Sequence, residues 1–265
     1  MKKFSILLVS VIVLLIATLF FVMRRDNTET ASPPKPLTAE EIACYEYLKK
    51  EMADFEYWVG DKHPSEVTMV EFQYNYRITG AELSILKPLS NLEELNCHNA
   101  HQLNDSFTVC LKYLPKLKTL ILSATEVTPG ALPEIVKLKH LETLRIIRKY
   151  SRVEDTKQWK PEDIFTDSSL EMLTECGQLK HLYIGEPCSI SDAGLEQLKK
   201  LPHLEYFGIT TDKVTPSGVE FLKTLPHIKE ITISAPAAKR SEGFSMIVNG
   251  EQRIQYSPPK AEETP

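Results

Sequence analysis

Internal repetition constrains this chain more than any other feature, because a repeat of roughly 20 to 50 residues dictates a stacked architecture. The stretch I-S-D-A-G-L-E-Q-L-K-K-L-P-H-L-E-Y-F-G-I, Ile190 to Ile209, returns one step later as V-T-P-S-G-V-E-F-L-K-T-L-P-H-I-K-E-I-T-I, Val214 to Ile233. The same slots recur upstream, around Val127-Thr128-Pro129 and around Ile78-Thr79-Gly80. A segment of the form L-x-x-L-x-L is the ruler. Its first residue falls at Val67, Leu92, Leu117, Leu141, Leu179, Leu204 and Ile228, in steps of 25, 25, 24, 38, 25 and 24 residues. One step is too long by about fourteen residues.

Within each unit the apolar spacing changes. Alternate apolar positions, such as Leu120 and Leu122 or Leu182 and Ile184, describe a short strand with one buried face. A turn follows, then an apolar residue and a Thr, Ser or Asn: Ile78-Thr79, Leu103-Asn104, Val127-Thr128, Phe165-Thr166, Ile190-Ser191 and Val214-Thr215. Most of these are succeeded by Pro or Asp, the composition of a helix N-cap and first turn. Apolar residues at every third position then lead back to the next strand. One strand and one helix cannot bury their apolar sides alone, so the units must stack.

This pattern resembles the leucine-rich-repeat family, in the short bacterial form with T-D-x-G-L … L-x-x-L-P-x-L-x-x-L-x-L, across about residues 67 to 234. The resemblance implies an α/β fold: a solenoid with a curved parallel sheet and one short helix per repeat. It also implies interaction with another protein rather than catalysis. A departure is the family's Asn slot after the strand, which holds residues such as Ala100 or Thr125. The expected asparagine ladder is absent or replaced.

The flanking segments do not fit the repeat. Residues 4–23 are apolar or small, and they lie between Lys2-Lys3 and Arg24-Arg25. Twenty helical residues span about 30 Å, the thickness of a bilayer core. A secretory signal usually has a shorter apolar run and a small-x-small cleavage site. Residues 1–25 therefore read as an uncleaved single-pass transmembrane helix, with cleavage as the alternative. The short N-terminal tail favours an extracytoplasmic repeat domain, although basic residues at both ends weaken the orientation signal. Residues 26–37 form a polar, Pro-rich linker.

Residues 38–66 open with the capping box T-A-E-E and offer Ile42, Tyr45, Leu48, Met52 and Phe55 to one helical face. They are expected to cap the N-terminal end of the solenoid. Residues 235–256 contain Asn249-Gly250 between two β-prone runs, a hairpin signal, and are expected to cover the last repeat. Residues 257–265 read as a flexible tail.

Few residues suggest chemistry. The ten glycines form no phosphate loop or dinucleotide fingerprint, and no G-x-S-x-G elbow or H-E-x-x-H pair occurs. A formal net charge of -5 argues against an indiscriminate nucleic-acid binder. Five cysteines leave at least one thiol unpaired. Cys97 and Cys176 occupy slots that hold Leu or Ile elsewhere, which is the place of a small apolar residue. His98-x-x-His101 has zinc-like spacing but lacks further ligands. No metal, cofactor or catalytic residue is expected, and an enzyme is the least favoured class.

Binding should use the concave wall, where strands lie side by side about 4.8 Å apart. One outward row reads Met69, Glu94, Thr119, Thr143, His181, Tyr206, Glu230; the next reads Glu71, Asn96, Ile121, Arg145, Tyr183, Gly208, Thr232. A third includes His98, Ser123, Ile147 and Thr210. Arg145, His181, Tyr183 and Tyr206 meet on neighbouring strands, and Tyr and Arg often dominate binding energy. The long step, about 148–164, adds a second candidate with Tyr150 and Trp159, since repeat insertions often map to a binding face. The candidate partner-binding residues are thus Arg145, His181, Tyr183, Tyr206, Asn96, His98, Tyr150 and Trp159. The expected function is a membrane-anchored repeat protein that binds another protein through this wall and loop. A structural spacer of the cell envelope and a peptide or glycan recognition module are the alternatives.

Overall fold

The computed structural model describes residues 36–148, 160–225, 227–235, 245–249 and 252–257. The chain divides into two units, Met1–Thr38 and Ala39–Pro265, and all the repeats lie in the second. The expected anchor at residues 4–23 lies outside the described residues, and so does most of the linker. Among the described residues no helix is long and apolar enough to cross a membrane.

A helix α1 (Ala39–Glu51) and a single turn α2 (Phe55–Trp58) precede the repeats. The seven repeat strands are β1 (Met69–Glu71), β2 (Glu94–Asn96), β3 (Thr119–Thr125), β4 (Thr143–Arg148), β5 (His181–Ile184), β6 (Tyr206–Thr210) and β7 (Glu230–Ser234). Each pairs in parallel with its successor, and equivalent repeat positions face one another except at the end of β3, where a one-residue shift sets Thr125 opposite Arg148. Val70, Leu95, Leu120, Leu144, Leu182, Phe207 and Ile231 therefore form one buried row along the sheet. Each such side chain contributes about 1.5–3 kcal/mol by leaving water.

The return segments are short helices, several of them 3₁₀ rather than α, such as Ala81–Leu86 and Asp105–Tyr113. Apolar residues three apart suit a helix with three residues per turn: Leu83, Leu86, Leu89 and Leu92 all point inward. Tyr74, Asn99 and Ala124 share a left-handed backbone, with φ of 56°, 60° and 57°, at the same turn in three successive repeats. This turn sends the next residue inside. That residue is the Asn slot, and the first repeat does keep an asparagine there. Buried Asn75 accepts hydrogen bonds from the backbone of Arg77 and Ile78 and donates to Glu51 of α1. In later repeats Ala100 fills the slot with no polar group, while Thr125 and Thr211 bond to backbone carbonyls.

A carboxylate ladder joins the helix starts. Asp105 accepts from the backbone N–H and hydroxyl of Thr128 in the next repeat; Asp167 does the same for Ser191, and Asp192 for Thr215. Where no upstream Asp exists, other groups serve the cap residue: Asn104 donates its backbone N–H to Thr79 O of the first repeat, and Thr79 and Thr166 are satisfied locally. Glu82 takes the N–H and hydroxyl of Thr79 in the first repeat, and Ser169 and Ser168 serve Thr166 beyond Pro129. The glycine of T-D-x-G follows from this geometry. A Cβ on Gly194 would lie 2.2 Å from Asp167 Oδ1, and one on Gly218 would lie 2.1 Å from Asp192 Oδ1.

At the front rim of the sheet, one slot alternates in sign. Glu93 pairs with Lys118, Glu142 with Lys180 and Glu205 with Lys229. These exposed pairs each contribute less than about 1 kcal/mol.

Two features differ from the sequence reading. Ile42 is half exposed, at 50%, while Cys44 turns inward instead, because α1 buries Cys44 and Leu48 in the core, continued by Met52 and by Phe55 of α2. The C-terminal hairpin of β8 (Ser245–Asn249) and β9 (Gln252–Ser257) also extends the sheet sideways. Its second strand, β9, pairs in parallel with β7 and takes the position of a further repeat strand.

Candidate functional site

The open face of the sheet, opposite the helices, carries the rows read from the sequence. The pairings Thr143↔His181↔Tyr206 and Arg145↔Tyr183↔Gly208 place four of the candidate residues on β4, β5 and β6. Alternation along a strand puts all four side chains on one face. The site rises from that register.

Gly208 determines how the cluster packs. A Cβ there would lie 2.3 Å from the Tyr183 ring and 3.0 Å from the Tyr206 hydroxyl. Its absence lets Tyr183 lie flat across β6, where its hydroxyl meets Thr210 Oγ1 at 3.2 Å, and Thr210 in turn meets Ser234 at 3.3 Å. The Arg145 guanidinium stacks over the Tyr183 ring, 4.7 Å from its centroid, a cation–π contact. Arg145 Nε donates to Ser123 Oγ at 3.0 Å. The arginine is thus oriented by two neighbours while remaining exposed to solvent. The His181 ring sits 6.4 Å from that of Tyr206, and its Nδ1 lies 3.4 Å from the Thr143 hydroxyl. Burial pushes the Tyr206 hydroxyl up from its usual range; Tyr183 and Glu230 add to this, and Thr232 and Arg145 oppose it. It stays protonated at neutral pH and can donate. Between these groups, Ile121, Thr143, Arg145, His181, Tyr183 and Tyr206 line a shallow depression of about 340 Å³.

Asn96 and His98 stand apart from this cluster. Both belong to the second repeat, about 10 Å from β4 at the usual strand spacing. Asn96 donates to Glu71 and accepts from the backbone of His98. His98 meets the edge of Tyr74, and His101 that of Tyr76. The two histidines thus each serve a different tyrosine of the first repeat. Among the described residues no group of three or more His, Cys, Asp or Glu side chains is arranged to hold a metal.

Tyr150 and Trp159 lie outside the described residues. The long step leaves β4 at Arg148 and returns at Lys160, and its two described ends are tied together. Buried Arg148 reaches Glu126 at 3.0 Å and Asp163 at 3.5 Å. The five cysteines are free thiols and all are buried. Burial raises every one of them, for instance Cys44, Cys110 and Cys188 to about 12 and Cys176 to about 11. None is a poised nucleophile.

Parallel strands in strict repeat register, a continuous leucine-rich core and short return helices define a leucine-rich-repeat type of fold. No protein-family model matches the chain, and no curated protein is similar to it in sequence. Solved structures with a similar course include a leiomodin-1 chain described as actin-binding site 2. It is 13% identical over 61% of this chain and 87% of that one, with a TM-score of 0.38. An internalin from Listeria monocytogenes is 15% identical over 64% of this chain and 55% of that one, with a TM-score of 0.37. A Bacteroides fragilis protein is 13% identical over 77% and 73% of the two chains, with a TM-score of 0.29. At such distances a shared fold does not carry function across.

Proposed function

We propose that this chain is a non-catalytic binding module that recognises another protein through the open face of its sheet. One observation supports this most. Arg145, Tyr183, Tyr206 and His181 are held in fixed relative positions around a depression, yet Arg145 and His181 remain exposed. Orienting an arginine on a tyrosine in advance lowers the entropy lost when a partner docks. The apolar run at residues 4–23 would present the module from a membrane, with its sheet on the extracytoplasmic side, and the long step at 148–164 would border the site.

The test is crosslinking in native membranes, comparing the intact chain with an Arg145→Glu, Tyr183→Ala, Tyr206→Ala variant of unchanged circular dichroism. A single protein captured by the intact chain and lost with the variant is the expected result. Equal capture by both forms would reject the open face as the site. Membrane attachment is read separately, by carbonate extraction of the chain with and without residues 1–25.

A further inference from the structure

We propose that the open face takes a carboxylate of its partner on Arg145, within an extended segment that carries basic residues on either side. This deepens the function proposed above and rests on it.

The charge pattern of the face carries the inference. On β3 to β6, the outward positions are Thr119, Ile121, Ser123, Thr143, Arg145, Ile147, His181, Tyr183, Tyr206, Gly208 and Thr210, and none is an acid. Two carboxylates on the rim beside these strands, Glu142 and Glu205, are already paired with Lys180 and Lys229. Among the described residues, acids on the face lie beyond this window, at Glu71 on β1, Glu94 on β2 and Glu230 on β7. A chain of net charge -5 therefore presents a small cationic window with acidic flanks.

The geometry of Arg145 narrows the ligand further. Ser123 occupies Nε, and the Tyr183 ring covers one face of the guanidinium. Arg145 is exposed and its Nε is committed to Ser123, so its two terminal nitrogens are the donors it can offer a partner, and such a fork matches a carboxylate in bidentate fashion. The apolar walls of Ile121 and the two tyrosines would exclude water around that pair. Burial, with repulsion from Glu71 added to it, raises the Glu94 carboxyl from its ordinary value. A basic group on the partner would relieve this.

Spacing turns the pattern into a motif. Glu94 stands two strands from Arg145 and Glu230 three strands away on the other side. Both acids lie in the row of Thr143, two residues along the strand from that of Arg145, so at about 4.8 Å per strand and about 3.3 Å per residue the diagonal separations are about 12 Å and 16 Å. An extended segment crossing the strands advances about 3.3 Å per residue. The basic residues should then fall about four positions from the acid on one side and about five on the other.

The experiment is selection of random dodecapeptides on the full chain in lipid nanodiscs, displayed once with the peptide C-terminus fused and once with it free. Peptides sharing an Asp or Glu with basic residues at those spacings are expected. Changing the acid to its amide, or Arg145 to Gln, should weaken binding at least about tenfold, and Arg145→Lys nearly as much, because the fork is lost. Enrichment confined to the free format would assign the carboxylate to a chain end; enrichment in both assigns it to a side chain. Selected peptides without an acid, or acidic ones indifferent to Arg145→Gln, would overturn the proposal. If such peptides still need Tyr183 and Tyr206, the binding face survives and only the carboxylate falls. No enrichment over the triple variant would sink both.

Discussion

At the scale of single residues, the glycine of T-D-x-G is explained by a neighbour in another repeat. Gly218 lies in the first turn of the helix Pro216–Leu222, where alanine would ordinarily be favoured by up to about 1 kcal/mol. Here an alanine Cβ would collide with the carboxylate of Asp192. Gly218→Ala should therefore destabilise the native protein by about 1–3 kcal/mol, the range for overpacking. In an Asp192→Ala background most of that penalty should disappear, since what remains is a tight 3.2 Å approach to Leu195 Cδ1, the end of a side chain that can give by a few tenths of an ångström. Urea unfolding of the four-member cycle measures the coupling. A penalty that persists without Asp192 would rule out the collision as its cause. The motif letters are visible in the sequence, but their purpose is not. Asp192 and Thr215 are 23 residues apart, and only the stacked register brings them together.

Strands are easier to read than the elements that close the array. Alternation and a constant period fix which side of each strand faces outward, because a one-residue slip would invert every side chain. The two outward rows read from the sequence are the rows that pair in register across the sheet. Helix α1 has no repeat to guide it, and its apolar residues spread over most of its surface, so the sequence offers Ile42 to the core where the structure buries Cys44. Likewise, Asn249-Gly250 announces a hairpin without showing that β9 joins β7. What attaches α1 is partly electrostatic. Glu51, nearly buried, accepts from Asn75 and pairs with Lys50 and Arg77. Burial raises its carboxyl, but the bonds from Asn75 and Lys50 and the two positive charges outweigh it, so the net direction is down from 4.5. A depressed carboxyl stabilises above its unfolded value and loses that contribution as pH falls through the folded one. The wild type should thus exceed Glu51→Gln in urea midpoint at pH 7, and the gap should close as pH drops below about 4.5. A gap independent of pH would mean that shape, not charge, holds the helix.

Across the whole molecule, the long step is where two successive repeats lose the carboxylate link with no direct replacement between their cap residues among the described hydrogen bonds, whereas the Gly80 slot is bridged by Asn104 N–H to Thr79 O. Pro129 replaces the Asp that would have reached Thr166, and Thr166 is satisfied within its own repeat by Ser168 and Ser169. A stacked array unfolds as a unit only if every interface is strong relative to the repeats it joins. The missing link forfeits about 1–2 kcal/mol of charged hydrogen bonding. Against it, β4 pairs with β5 at four positions, Phe165 bridges to Cys188, and Leu144, Ile146, Leu182 and Ile184 close the core across the seam. Those four side chains alone outweigh the lost link several-fold. The molecule should therefore unfold in one transition despite the insertion. Its cysteines report on this without any label: Cys44, Cys97 and Cys110 lie before the seam, and Cys176 and Cys188 after it, all buried. Pulsed alkylation across a urea series, read by peptide mass spectrometry, should expose all five at one midpoint. Earlier exposure of Cys176 and Cys188, or of the three upstream thiols, would instead show that the seam divides the solenoid into two cooperative blocks.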